Sequence, residues 1–183
     1  MDLDAVAGEL YGLLPEEFAA ARKMRAGEAQ AEGDRDLAAA VRQLRRPTTS
    51  AWLANLLVRE RPTQIGELLE LGTAMHRAQA DLAGKEMRQL SHQRQAVVTS
   101  LSDAARRLAH DRGKRTSDAT MRELEETLDA AIADSGARDA LAAGHLAAAM
   151  RYSGLGAEWR GGATTPPQKG PTAARHGAAT TSP

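Results

Sequence analysis

Cysteine is absent from the 183-residue sequence, so disulfides, thiolate nucleophiles and thiolate metal sites are all excluded. Charge excess of either sign is missing too: 24 Lys and Arg balance 24 Asp and Glu, which removes the simplest case for a nucleic-acid or membrane-surface partner. No apolar run approaches the roughly 18 residues of a membrane span. The opening stretch "MDLDAVAGELYGLL" carries acids and no base, the reverse of a secretory leader, so a cytoplasmic location is expected. Arginine greatly outnumbers lysine and alanine is abundant, a bias that fits a GC-rich genome. A chain of this length is expected to form one domain with a tail, burying about 70% of its unfolded surface.

What is present is helical periodicity, with apolar residues recurring at spacings of three and four almost everywhere before residue 153. Leu3, Val6, Leu10 and Leu13 make a first stripe. Pro15, followed by two acids, predicts a second helix to about Ala31 that packs through Phe18, Ala21 and Met24. Asp34 is a natural cap for a third, with Leu37, Ala40, Val41 and Leu44 on its inner face. An Arg-Pro-Thr triplet then stands at each end of "SAWLANLLVRE", framing a fourth helix of about three turns. Thr63 is expected to cap the helix that follows.

Two heptad-like, coiled-coil-type seams come next: Leu68, Leu71, Met75, Ala78 and Leu82, then Met87, Leu90, Arg94, Val97, Leu101, Ala104 and Leu108. They are out of phase. Five residues from Leu82 to Met87 turn the apolar face by about 140°, so a turn or kink is expected at Ala83–Gly84. Gly113 predicts a stop, and Ser117, or Thr120 with Glu123 in a capping box, a restart. Met121, Leu124, Leu128, Ala131 and Ile132 line that helix, and a final one is expected to carry Leu141, His145, Leu146 and Ala149 to about Tyr152. No strand is predicted. Past Gly154 no aliphatic residue larger than alanine follows Leu155, a composition that predicts disorder.

Little of this pattern carries chemistry. The histidines at 76, 92, 110, 145 and 176 lack the spacing at which ligands converge on a metal. Ser91 and His92 are adjacent and point to different sides of a helix, so they cannot share a proton as nucleophile and base. "RELEETLD" reads as a solvated helix face, and His145 as a core histidine. No catalytic, cofactor-binding or metal residue is therefore assigned, and no cofactor is expected. Two basic patches remain. Arg106, Arg107, Arg112, Lys114 and Arg115 are the candidates for nucleic-acid or anion contact, with neutralisation by the acidic stretch just downstream as the competing account. Arg42, Arg45, Arg46, Arg59 and Arg61 bracket the framed helix, loosely as in a helix-turn-helix reader. That helix offers no polar face, however, so Trp52 and Leu56 are expected in the core, with Asn55 satisfying a neighbouring backbone group such as a carbonyl beside Pro47 or Pro62.

The strings "LYGLLPEEFAAAR", "GDRDLAAAV" and "LRRPTTSAWLANLLVR" resemble a family of uncharacterised, mostly helical proteins common in actinobacteria. The resemblance covers roughly the first third of the chain, and this sequence has Lys23 where members often carry an acid. It implies a bacterial cytoplasmic helical protein and brings no activity or site residue.

The expectation is thus an all-α protein of seven or eight helices. A short-helix N-terminal unit over 1–61 leads into a longer-helix antiparallel bundle over 62–153 packed on it, the two forming one domain overall, before a disordered tail over 154–183. The expected function is a non-enzymatic interaction or scaffold protein that holds a protein partner or self-associates through its long helices. A nucleic-acid-associated regulator using the 106–115 patch is the alternative, and no membrane partner is expected.

Overall fold

The computed structural model describes residues 2–152 together with the backbone of Ala157–Trp159. The described chain is all-α, with eight helices and one short β-hairpin: α1 Leu3–Leu10, α2 Phe18–Ala31, α3 Arg35–Gln43, α4 Thr49–Glu60, α5 Pro62–Ala80, α6 Gly84–Asp111, α7 Asp118–Ala133, α8 Ser135–Ala143, β1 Met150–Tyr152 and β2 Ala157–Trp159. The disorder expected over 154–183 lies outside the described residues, except at β2.

Short polar side chains start most of these helices by accepting a free backbone N–H. Asp2 accepts from Ala5 at 2.7 Å, Asp34 from Leu37 at 2.9 Å, Thr48 from Ala51 at 3.2 Å and Asp134 from Ala137 at 2.8 Å. Ser117, not Thr120, caps α7, while Glu123 turns away to accept from the Ser50 hydroxyl at 2.7 Å. Two starts and one packing face differ from expectation. Pro15 lies in a turn and α2 begins at Phe18. Met24 is 55% exposed because the inner stripe of α2 runs through Phe18, Ala26 and Ala29. Pro62 is itself the first residue of α5, so Thr63 caps nothing; a proline ring is preset for that position and has no N–H to satisfy.

Two cores result. The smaller gathers Val6, Leu10, Tyr11, Phe18, Leu37 and Val41 from α1 to α3. The larger joins α4 to α8 around Trp52, Leu57, Leu68, Leu101, Leu124 and Leu141. Helix α4, grouped by sequence with the short helices before it, thus contributes its buried residues to the bundle. The phase slip between the seams is a turn over residues 81–83, which makes α5 and α6 an antiparallel hairpin. Leu82 at its tip has φ of 52° and is 91% exposed.

The hairpin seats on α7 through Gly72. A Cβ built there would lie 2.9 Å from the Ile132 carbonyl oxygen, 3.1 Å from Ile132 Cα and 2.8 Å from Arg138 Nη2. Alanine favours a helix interior by about 1 kcal/mol over glycine, but overpacking costs about 1–3 kcal/mol, and two of these three atoms are backbone. Gly72→Ala is therefore expected to lose about 1 kcal/mol net, read from the urea midpoint. A stabilised variant would mean that α5 and α7 separate freely.

The C-terminal region departs most from expectation. Gly144, left-handed at φ 66°, ends α8, so His145, Leu146 and Ala149 are not helical. The chain instead runs through the interior, burying Leu146, Ala148, Ala149 and Met150, and pairs as β1 with β2 in the register Met150↔Trp159, Arg151↔Glu158.

Candidate interaction surfaces

A buried non-helical segment must find partners for every peptide group, and residues 144–150 find theirs on two helices. Asn55, fully buried in the middle of α4, donates from Nδ2 to the Leu146 carbonyl and accepts the Leu146 N–H at Oδ1, both at 2.8 Å. It acts as a surrogate strand, and its partner is neither carbonyl suggested by the nearby prolines. The Thr48 N–H reaches the Ala147 carbonyl at 3.0 Å, and Thr127 on α7 accepts the Met150 N–H at 3.0 Å. Arg59 closes the end: Nη1 donates to the carbonyls of Asn55 and Gly144 at 2.8 and 3.2 Å, and Nη2 to that of Gly8 at 2.8 Å. One half-buried guanidinium therefore ties α1, α4 and the end of α8 together. Trp52 and Leu56 are buried on the same helix.

Beside this clamp His145 stacks on Tyr11, with ring centroids 5.8 Å apart and planes at 20°. The Tyr11 hydroxyl donates to the Arg45 carbonyl at 3.0 Å. Burial lowers the pKa of His145, with Arg59 adding to the effect and Asp4 opposing it. The unfolded chain therefore binds the proton more readily, and the stability this neutral ring contributes is complete above pH 6.5, the ordinary value, and declines as pH falls toward the lowered one. The urea midpoint is expected to drop below pH 6.5 and to drop less in His145→Phe, which keeps a ring on Tyr11. Superimposable pH profiles would show that this histidine titrates alike in both states.

The basic residues 106–115 are largely committed inside the molecule. Arg106 lies 3.8 Å from Asp118, Arg112 Nη2 lies 2.5 Å from Glu60, and Lys114 pairs with Glu16. Only Arg107 and Arg115 are exposed and without an ion-pair partner among the described residues. The neutralising acids are not those of "RELEETLD", whose Glu126 and Asp129 serve other arginines. The Glu16 carboxyl is held below its ordinary range chiefly by the Lys114 hydrogen bond, with Arg46 adding its field. Lys114 of one patch and Arg46 of the other thus act on the same Glu16 carboxylate, while Glu60, the partner of Arg112, ends α4 between Arg59 and Arg61.

A groove of about 860 Å³ lies between the distal half of the hairpin, α7 and β1. Its floor is apolar, from Met75, Ala80, Met87, Ala130 and Ile132. Its wall holds two forked ion pairs: Arg94 Nε and Nη2 on Asp129 at 2.9 and 2.7 Å, and Arg151 Nε and Nη2 on Glu126 at 3.1 and 2.6 Å. Arg94, a charged residue within the second seam, thus joins α6 to α7 within one chain. Tyr152 stands half-exposed at the rim. Met75 and Met87 belong to successive seams, whose periodicity carried no sign that α7 and β1 would leave them uncovered.

No group of three His, Cys, Asp or Glu residues that could hold a metal occurs among the described residues, nor any helix long and apolar enough to cross a membrane. No protein-family model, curated protein or solved structure matches the chain. The resemblance over residues 10–59 therefore lends no residue role.

Proposed function

We propose that this chain is a non-enzymatic interaction protein, cytoplasmic as the resemblance implies, which receives a partner segment in the groove between α5, α6, α7 and β1. One observation carries the reading: the groove's floor is open and apolar, while the arginines and carboxylates in its wall already satisfy one another. Such a surface offers packing area and adaptable methionines to an apolar helix face or strand.

The test is site-specific photocrosslinking in the native cell from position 79, an exposed glutamine on the groove wall. One dominant adduct, lost when Met87→Lys closes the floor and absent from the control position 39, exposed on α3 and outside the groove lining, is the expected result. Adduct patterns alike at 79 and 39 would overturn the reading.

The nucleic-acid alternative makes its own expected outcome. The 106–115 stretch has two uncommitted cations, and each neutralised phosphate contributes roughly 0.9 to the salt dependence. Anisotropy of a labelled duplex is therefore expected to show weak binding with a log–log slope no steeper than about −2. Saturable binding with a much steeper slope, abolished by neutralising Arg106, Arg107, Arg112, Lys114 and Arg115 together, would restore that alternative to first place.

A further inference from the structure

Among the described residues, the α5–α6 hairpin is covered on one face only. Toward α7 it is seated by Gly72 on Ile132 and by Arg94 on Asp129. Its distal half has a thin core of its own, built on Leu71, Ala78 and Leu90 and separate from the main one. On the face away from α7 lies a second, open cleft of about 430 Å³, where Glu67, Glu70, Leu71, Ala74, Leu90 and Val97 line a shallow trough between the two helices. Two helices alone make a single layer, and here the half-buried Ala74 and Val97, above Leu71 and Leu90, are flanked by the exposed Glu67, Glu70 and Gln93, a narrow apolar strip that another helical layer would cover.

The charges along this face indicate what that layer is. Glu70, Ala74 and Arg77 follow at spacings of four and three and share one stripe of α5. Glu70 and Arg77 are both exposed, and neither side chain has an ion-pair or hydrogen-bond partner among the described residues. Seven residues apart, they stand about 10.5 Å from each other along the axis, too far to pair within one helix. Opposite charges placed symmetrically about a small residue are self-complementary: an antiparallel copy of the same helix sets each Glu70 against an Arg77, twice.

We infer that this face is an isologous interface with a second copy of the chain, its twofold axis crossing α5 between Thr73 and Ala74, with Glu70 of each copy paired to Arg77 of the other. Such an interface uses one patch on both partners. The small Ala74 side chain lets the axes approach to the roughly 8–10 Å of packed helices, and the two hairpins then form a four-helix layer over Leu71, Leu90 and Val97. The inference goes beyond the groove reading, since it concerns the opposite face and a partner of known sequence.

Sedimentation equilibrium of the full chain over a wide concentration series tests it, with circular dichroism confirming that every variant is folded. The wild type is expected to be in monomer–dimer equilibrium. Glu70→Arg and Arg77→Glu, each of which creates two like-charge contacts, are each expected to weaken the dimer at least about tenfold, and the double variant to return it to within about threefold of wild type. A wild type monomeric throughout, or a dimer indifferent to both single reversals, overturns the inference. Should a reversal prevent folding, Glu70→Gln and Arg77→Gln replace it and are expected to weaken the dimer to a smaller extent; a dimer unchanged in both counts against it. Failure here leaves the crosslink from position 79 untouched, so the two readings fall separately.

Discussion

Replacing Asn55 by alanine is expected to destabilise the fold by about 3 kcal/mol or more, because it leaves both the N–H and the C=O of Leu146 buried without a partner, at about 1–3 kcal/mol each. Both bonds are 2.8 Å long and the side chain is fully buried. In a chain of this size the loss corresponds to a fall in Tm of roughly 6–12 °C, and to a lower urea midpoint with an unchanged slope. A second consequence is local: with its grip gone, the segment from Gly144 to Met150 loosens, and trypsin is expected to cut after Arg151 faster in the variant. Asn55→Asp separates the two bonds, since it keeps an acceptor for the Leu146 N–H and sets a carboxyl against the Leu146 carbonyl. It is expected to be destabilised as well, and less so at low pH, where a protonated carboxyl can donate. An Asn55→Ala midpoint equal to that of the wild type would show that residues 144–150 are held by their apolar side chains alone.

The same residue marks the limit of what the sequence makes legible. Local signals read correctly: Asp34 as a cap, Gly113 as a stop, the framed helix between its prolines, and the turn near Gly84 from a phase slip in the apolar seams. Each depends on residues within about one helical turn. The features that shape the surfaces depend on distant ones. Asn55 bonds a peptide group 91 residues away, and "LAAAM" reads as helix because its extended path through the interior depends on partners distant in sequence: Asn55, the Thr48 N–H and Thr127. The acids that neutralise the 106–115 patch are Glu16 and Glu60 together with Asp118; the nearby "RELEETLD" offered a closer but wrong source. Tyr11, scarcely noticeable in an alanine-rich stretch, carries the stack with His145. The groove had no signature at all, since it is defined by where α7 and β1 stop covering the hairpin.

Trp52→Ala is expected to have an effect as large as that of Asn55→Ala, for a different reason. The indole is 1% exposed in the larger core, and α4, which carries it, touches α5, α6, α7 and α8. Truncating a buried aromatic to alanine costs about 3–5 kcal/mol, set by how far the surroundings can collapse; a helix touched by four others has little room to move. Trp52→Phe discriminates packing from hydrogen bonding. The indole Nε1 is buried with no partner among the described residues, so phenylalanine removes a polar atom that gains nothing from the fold and leaves no other group unsatisfied. Its cost is expected to stay near 1 kcal/mol, the price of a modest cavity. In a Trp159→Phe background Trp52 is the only indole, and its emission is expected to be blue-shifted in the folded protein and to move red in the same urea transition that circular dichroism reports. Emission typical of a solvated indole before unfolding, or a Trp52→Ala midpoint within about 0.5 kcal/mol of wild type, would remove α4 from the centre of the bundle, and with it the frame on which the hairpin and both of its faces are mounted.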